Sequence, residues 1–312
     1  MFSGISINEF REKFKTEQDC LQYILDKKLS GGYSCFRCQG DQYGKGRDWH
    51  YLRCKKCGYD ASATAGTLFH KCKLGLLKAF EIAFRISVRK KGMSSCELAK
   101  EFGCQQRSAW LWKAKIQEAM KSSGKYALAG DVEVDEFLVG GFSAGEPGRS
   151  HGSKDLVVLA IEKVRNKNDK ITIGRAYCRV VDDASADSLK KIFDEHIAPQ
   201  ASVKTDGWRG YWPLGKEWNI TKEKSDKGAG FPLLHIHIMN IKGWLRGVHH
   251  KCETHRLQQY LDEYHFRFNR RGFLNSIFDK LITKMTQAKP VNYKMIKCEL
   301  NTYRLKKRKT NF

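Results

Sequence analysis

The chain has 312 residues, a formal net charge of +23 and 41% hydrophobic residues. This length predicts about two domains at roughly 150 residues each, and the apolar content suffices for a buried core, which excludes a wholly disordered chain. Because no apolar run approaches the roughly 18 residues of a membrane span and residues 1–15 lack the apolar stretch of a signal peptide, we expect a soluble intracellular protein with no membrane partner.

The positive charge is divided unevenly along the chain. Residues 1–130 carry a net +12, residues 131–235 carry −1 and residues 236–312 carry +12. Solvation alone rarely explains so large an excess, so two basic flanks indicate a polyanionic partner. The carboxylates in the near-neutral middle would repel a polyanion. Metal ions bound between the carboxylates and the polyanion would remove this repulsion. The basic cluster 304–309 is weaker support, because such tails are often only solvated.

The N-terminal part carries two Cys-x-x-Cys pairs separated by fifteen residues: Cys35 with Cys38, and Cys54 with Cys57. This spacing brings two turns onto one tetrahedral ion, so we predict a zinc ribbon rather than unrelated redox or buried pairs. Four thiolates leave no open coordination position, and the zinc is therefore expected to be structural. His50 and His70 are interpreted as bystanders, although either would also suit zinc. The basic surroundings indicate a ribbon that contacts DNA phosphates or packs on its neighbour.

A helical segment follows the cysteines. Residues 74–91 have helical periodicity, Ser94 to Glu97 is typical of a capped helix start, and Gly103 ends that short helix. The next apolar face has helical spacing, which predicts a helix-turn-helix; a plain helical connector is the alternative. The polar residues at the second helix are the candidate DNA contacts: Gln105, Gln106, Arg107 and Lys113.

The acidic middle of the chain reads as alternating strands and a helix. Residues 131–139 predict a strand with a turn at Gly140 and Gly141; further strands are expected at 156–162, 171–181 and 201–205, and a helix at 184–196. Asp135 lies on the first of these strands and Asp206 directly follows the last. Two such carboxylates are what a two-metal phosphoryl-transfer site requires, although Asp-Gly is also a common turn.

Ordered motifs continue along nearly the whole chain. They are the ribbon ending at residues 64–67, the helix-turn-helix, and the segments 134–136, 139–141, 148–154, 205–207, 240–247, 249–250, 260–264 and 266–271. Together they resemble the ISXO-like bacterial insertion-sequence transposases, which are related to the Merlin group of eukaryotic DNA transposons.

This resemblance implies a multidomain protein in which a zinc ribbon and a helix-turn-helix precede an α/β ribonuclease H-like catalytic domain with a mixed sheet. The implied boundaries are 1–72 for an N-terminal helix and the ribbon, 73–125 for the helix-turn-helix, 126–290 for the catalytic domain and 291–312 for a basic tail.

By the same resemblance Asp135 is the first catalytic carboxylate and Asp206 the second, holding Mg²⁺ or Mn²⁺. The third position, commonly Glu, is here Asn240, with Lys242 close by, as in an Asp-Asp-Asn-Lys subgroup. An Asn carbonyl can bind Mg²⁺ but adds no charge, so substrate phosphate is expected to contribute more of the coordination. Lys242 is expected to bind a phosphate beside the ions. If this segment is helical, however, the side chain of Lys242, two residues after Asn240, points away from that of Asn240.

The C-terminal third supplies further candidates. Phosphate contacts are expected from Arg246, Arg267, Arg270 and Arg271. The histidines at 235, 237, 249 and 250 are interpreted as DNA contacts or packed residues, because Mg²⁺ prefers oxygen ligands. The aromatic residues at helical spacing are interpreted as core: Tyr260, Tyr264 and Phe268.

We therefore expect a DNA transposase that binds the terminal inverted repeats of an insertion sequence, cleaves double-stranded DNA and joins it to target DNA. Joining two ends requires at least two bound protomers, so a homodimer or larger oligomer is expected, in the bacterial cytoplasm at the nucleoid. Two alternatives stay open: a catalytically inactive DNA-binding regulator derived from a transposase, and a structure-selective nuclease that cuts without joining.

Overall fold

The computed structural model describes residues 1–140, 154–223, 226, 229–249 and 252–296. The chain divides into two compact units, a first unit of residues 1–120 with the chain from Gly272 onward, and a second unit of residues 121–271. Several motifs of the sequence lie outside the described residues: Gly141, most of the 148–154 motif, His250 and the basic cluster 304–309.

Helices and strands alternate in groups along the described residues. The N-terminal ones are α1 (Ile7–Lys13), α2 (Glu17–Ser30), β1 (Tyr43–Lys45), β2 (Tyr51–Cys54), β3 (Asp60–Ser62), α3 (Leu76–Val88), α4 (Ser95–Glu101) and α5 (Gln106–Met120). The central ones are β4 (Asp131–Val139), β5 (Asp155–Arg165), β6 (Ile171–Val181), α6 (Ala186–His196), β7 (Ser202–Thr205), 3₁₀ turns at Arg209–Tyr211 and Pro213–Lys216, and β8 (Asn219–Lys222). The last are α7 (Pro232–Val248), α8 (Thr254–Phe268) and α9 (Leu274–Gln287).

The first unit contains a small antiparallel sheet, β1-β2-β3, and a group of helices. Ser94 and Glu97 form the capping box predicted for α4, and Gly103 adopts the left-handed φ of +55° between α4 and α5. The ring of Phe278 on α9 lies 5.7 Å from that of Phe10 and 6.0 Å from that of Phe80. The apolar stripe of α9 thus completes an aromatic core with the N-terminal helices, whereas the sequence motifs grouped residues 272–290 with the catalytic domain.

The second unit is built on a five-stranded mixed sheet in the order β6-β5-β4-β7-β8. β4, β5 and β6 are antiparallel neighbours, and β4, β7 and β8 run parallel. The sequence predictions for β4 and β6 match residue for residue, and β5 extends beyond its predicted end because Lys163 to Arg165 continue the ladder with β6. The expected mixed α/β architecture is confirmed.

Both faces of this sheet are covered. Val132 and Val134 of β4 belong to one buried cluster with Leu189 of α6, and Phe137 belongs to another with Ile241 of α7 and Leu261 of α8. This alternation along β4 directs Asp135 and Phe137 to the side that α7 and α8 cover. No helix in the described part of the chain is both long and apolar enough to cross a membrane.

Candidate active site and metal centres

The parallel pairing of β4 and β7 brings two predicted carboxylates together. Val134 pairs with Thr205, so the next residue of each strand, Asp135 and Asp206, lies at the same level of the sheet. Glu136 joins them: one carboxylate oxygen from each of the three residues lies within 4.8 Å of the others. We call these three residues the acidic cluster.

Backbone N–H groups hold two members of the acidic cluster, and a buried tyrosine lies beside it. An Asp206 oxygen accepts the N–H of Trp208 at 3.0 Å, and an Asp135 oxygen accepts the N–H of Glu136 at 2.8 Å. Burial raises the pKa of Tyr211 well above its ordinary value, and the neighbouring charges of Glu136, Asp135 and Asp206 raise it further. The tyrosine therefore stays protonated and adds no further negative charge beside the carboxylates.

The acidic cluster fits a hard divalent cation. Carboxylate oxygens are the preferred ligands of Mg²⁺, and ligands at about 2.1 Å from an octahedral ion lie no more than about 4.2 Å apart. Oxygens within 4.8 Å of one another reach that spacing by small side-chain rotations. Three adjacent carboxylates also repel one another, and a cation would relieve this repulsion.

Helix α7 contributes two residues to the side of the sheet that carries Asp135. His235 Nε2 lies 3.7 Å from an Asp135 carboxylate oxygen. Lys242, seven residues later, returns to nearly the same side of the helix, and its Nζ lies 5.6 Å from the ring centroid of Phe137. Burial lowers the pKa of Lys242, and the charges of Lys154 and Arg246 lower it further, so these three cations lie close together.

Asn240, the expected third ligand, lies on a different side of α7 from His235 and Lys242. It is exposed on α7 and lies five residues after His235, which turns it about 140° around the helix. Two other carboxylates of this unit that would suit the third position form ion pairs elsewhere. Glu133 forms an ion pair with Lys163 at 2.8 Å, and the buried Glu263 forms one with Arg267 at 2.5 Å.

Glu136 is the cluster member that the sequence did not predict. The alternation of β4 assigned Asp131, Glu133 and Asp135 to one face, which left Glu136 on the other. The available signal was its position next to Asp135, just past the point where the neighbouring strand β7 ends and no longer covers that edge of β4.

Some predicted DNA contacts are exposed and others are buried. Gln105, Gln106 and Arg107 are exposed at the start of α5. Lys113 and Lys115 are buried, and their ammonium groups donate to the carbonyls of Met93 at 2.6 Å and Leu68 at 3.1 Å. The assignment of Lys113 to the DNA surface is corrected, because its cation satisfies a backbone carbonyl inside the first unit, as the cation of Lys115 also does.

The C-terminal arginines divide in the same way. Arg246 is exposed on α7, whereas Arg267 is buried in its pair with Glu263, which removes it from the DNA surface. Arg270 donates to the Phe266 carbonyl and Arg271 to the Gly174 carbonyl, each at 3.0 Å. Both arginines therefore secure the end of α8.

His237 and His249 are packed side chains. His237 and His265 are buried with their Nε2 atoms 3.2 Å apart, and His249 stacks on Tyr260 at a ring distance of 3.8 Å. The interpretation of Tyr260, Tyr264 and Phe268 as core holds, since all three pack against the cluster under α7 and α8.

The four cysteines of the first unit converge as their spacing predicts. The sulfurs of Cys35 and Cys57 are 3.7 Å apart, and those of Cys38 and Cys54 are 3.6 Å apart. A tetrahedral zinc with bonds of about 2.3 Å requires sulfurs about 3.8 Å apart, so the donor set fits zinc. Backbone N–H groups of Cys57 and Lys56 lower the pKa of Cys54, which favours the thiolate that a metal binds.

Comparison with known proteins gives two similarities. Residues 127–269 match the family model of the ISXO2-like transposase domain. An uncharacterized protein in transposable element ISH50 of Halobacterium salinarum is 22% identical to this chain over 278 residues, which cover 81% of this chain and 91% of that protein. The matched region of the family model includes the whole acidic cluster and α7.

Proposed function

Because residues 127–269 match the family model of the ISXO2-like transposase domain, we propose that the protein is the transposase of an insertion sequence, which cleaves DNA at the element's ends and joins it to target DNA. The observation that carries this proposal is the acidic cluster of Asp135, Glu136 and Asp206 at adjacent parallel strands. Two of its members are the carboxylates that the transposase resemblance requires.

We further propose that the second unit is a ribonuclease H-like domain. Its strand order supports this, since the first strand in sequence, β4, is central, with antiparallel β5 and β6 on one side and parallel β7 and β8 on the other. That arrangement brings a carboxylate from β4 and one from the end of β7 to the same place.

The acidic cluster would hold Mg²⁺ or Mn²⁺ through Asp135, Asp206 and Glu136, with Asn240 as the family-derived candidate for a further ligand. Bound there, two such ions would stabilise the attacking and leaving oxygens of a phosphodiester. Glu136 supplies the negative charge that an amide at position 240 lacks. His235 lies beside this site, with its Nε2 3.7 Å from an Asp135 carboxylate oxygen.

The chain's own cations bind the DNA backbone. Lys154, Lys242 and Arg246 lie close together near the end of β4, where a phosphate would neutralise their mutual repulsion. The exposed Gln105, Gln106 and Arg107 at the start of α5 are suited to base edges in a major groove, because Gln and Arg make bidentate contacts there. We propose double-stranded DNA as the partner of both surfaces and a structural zinc at the four cysteines.

The test is a cleavage assay with Mg²⁺ or Mn²⁺ on DNA taken from both flanks of the coding region. Asp135→Ala and Asp206→Ala should each reduce cleavage by about 10³-fold or more, because a lost metal ligand removes several kcal/mol of transition-state stabilisation. Both variants should keep DNA binding, since removing a carboxylate also removes repulsion of phosphate.

Asp182→Ala is the matched control, because this carboxylate is 92% exposed. Unchanged cleavage by both cluster variants would refute the proposal. Binding without any cleavage by the wild-type chain indicates a regulator, and cleavage without joining indicates a nuclease.

A further inference from the structure

A tryptophan beside the acidic cluster is left at the surface. Trp212 is 52% exposed, although tryptophan is usually well buried, and it lies six residues after Asp206. The other six tryptophans of the chain are less exposed than Trp212. The second most exposed, Trp49, lies in the first unit and is 42% exposed. Trp208, in the same segment, instead donates its indole N–H to the Ala184 carbonyl at 2.8 Å.

The backbone of this segment is fixed on both sides of Trp212. Tyr211 before it and Leu214 after it are buried in the cluster between the sheet and α6. The N–H of Trp212 donates to the Arg209 carbonyl at 3.1 Å, and the Trp212 carbonyl accepts the N–H of Gly215 at 3.2 Å. The indole is therefore presented by a rigid turn and loses little backbone entropy when it binds a ligand.

Two cations flank the exposed ring. The Lys222 ammonium lies 4.2 Å from the ring centroid and the Arg209 guanidinium 5.8 Å from it. An exposed aromatic ring with cations close over it is a combination that binds single-stranded nucleic acid, since a base stacks on the ring and the cations contact the adjoining phosphates. A surface for another protein would not require cations around its aromatic residue.

The position of the ring relates it to the reaction. Lys222, whose ammonium lies over the Trp212 ring, pairs in the sheet with Thr205, the residue directly before Asp206. A base stacked on Trp212 would thus belong to a nucleotide within a few positions of the phosphate at the acidic cluster. A base that leaves the duplex near the cut needs a partner to offset its lost stacking.

We propose that Trp212 stacks on an unpaired base of the DNA strand next to the cleaved phosphate, with Lys222 and Arg209 binding the phosphates beside that base. This inference rests on the proposed transposase function and assigns a substrate-binding residue to it. Trp212 makes the protein prefer DNA whose strands are separated near the cut over fully paired DNA.

The test compares two fluorescent DNA probes in the absence of divalent metal: a blunt duplex from the flank of the coding region, and the same duplex with its last three pairs replaced by unpaired thymines. The full-length chain should bind the forked probe more tightly. Trp212→Ala should weaken forked-probe binding by roughly 5- to 150-fold, the effect of losing one stacked base, and leave blunt-duplex binding unchanged.

Trp212→Phe should retain most of the preference, because it keeps an aromatic face. Tyr126→Ala is the matched control, since Tyr126 is a 66% exposed aromatic residue of the same unit. Unchanged binding of both probes by Trp212→Ala would overturn the inference, and so would an equal loss on both probes. A change in oligomeric state measured by light scattering would overturn it too, since it would assign the ring to a protein interface.

The cleavage and binding assays distinguish a failure of the stacking role from a failure of the proposed function. If the wild-type chain cleaves DNA and Trp212→Ala binds forked DNA as tightly as the wild type, only the stacking role is refuted. If no cleavage occurs but the selective loss is measured, the stacking role stands and the transposase activity does not.

Discussion

At the scale of single residues, the acidic cluster depends on small positional differences. Asp135 and Glu136 are adjacent in sequence and begin on opposite faces of β4, yet their oxygens and one from Asp206 lie within 4.8 Å of one another. Asn240 and Lys242 are two residues apart on α7. Of these two residues, Lys242 faces the side of the sheet that carries Asp135, where its ammonium lies near the ring of Phe137. The sequence supplied the two aspartates, while the third carboxylate required the strand pairing.

A metal-binding measurement distinguishes between Glu136 and Asn240 as the third metal ligand. Glu136→Gln should weaken Mn²⁺ binding by about tenfold or more, because the amide removes one of three carboxylate charges. Asn240→Ala should bind Mn²⁺ like the wild type in the absence of DNA, because Asn240 is exposed and turned away from His235. Free Mn²⁺ measured by electron paramagnetic resonance reports both. A tenfold loss for Asn240→Ala together with no loss for Glu136→Gln would reverse the assignment.

At the scale of elements, α7 and α8 serve both the site and the core. One side of α7 presents His235 and Lys242 toward β4, and its opposite side buries His237 against His265 of α8. His265 Nδ1 lies 2.7 Å from the Leu261 carbonyl and therefore carries the proton there. Its Nε2 is then the acceptor, so His237 donates to it. Both rings are neutral in this arrangement.

This histidine pair predicts acid sensitivity. Burial lowers the pKa of His265 to about 4 and that of His237 to about 2, from an ordinary value of 6.5. Because the folded-state pKa values are depressed, the pair's contribution to stability is complete above pH 6.5 and is lost progressively as the pH falls from 6.5 to about 4 for His265 and on toward 2 for His237. The thermal midpoint of the second unit should decrease over this range.

Replacing both rings by leucine, His237→Leu with His265→Leu, should leave the midpoint at pH 7 nearly unchanged, because no buried donor is left without an acceptor. The acid-induced decrease should become shallower. His50→Leu, in the first unit, is the control and should keep the wild-type profile. A double variant with the same acid profile as the wild type would show that other groups control the decrease.

At the scale of the whole molecule, the chain forms two units and returns from the second to the first. α9 follows α8 in sequence but packs with the N-terminal helices through Phe278. Each unit contains one group of metal-ligand side chains among its described residues, the four cysteines in the first and the acidic cluster in the second. These sites differ in chemistry, since thiolates suit zinc and carboxylates suit magnesium.

Metal removal should therefore affect the units differently. The purified chain should contain one zinc, and stripping it with a strong chelator should expose about four thiols to Ellman's reagent and unfold the ribbon, because closed four-thiolate sites supply folding energy. Mn²⁺ binding at the acidic cluster should persist. Cys57→Ser should lower the zinc content, whereas Cys96→Ser, which removes an exposed cysteine outside the ribbon, should not. A zinc-free chain with an intact ribbon would contradict the structural role.

The sequence by itself determined the features that depend on local pattern. Cysteine spacing identified the metal knuckles, alternation identified β4 and β6, and the capping residues and Gly103 identified the turn between α4 and α5. Each follows from interactions within a few residues. The tertiary structure decided what depends on distant neighbours: the burial of Lys113, Lys115 and Arg267, the place of α9 and the entry of Glu136 into the acidic cluster. The sequence does not distinguish a lysine or arginine that binds phosphate from one that binds a buried carbonyl. The packing of distant segments determines which of the two each residue does.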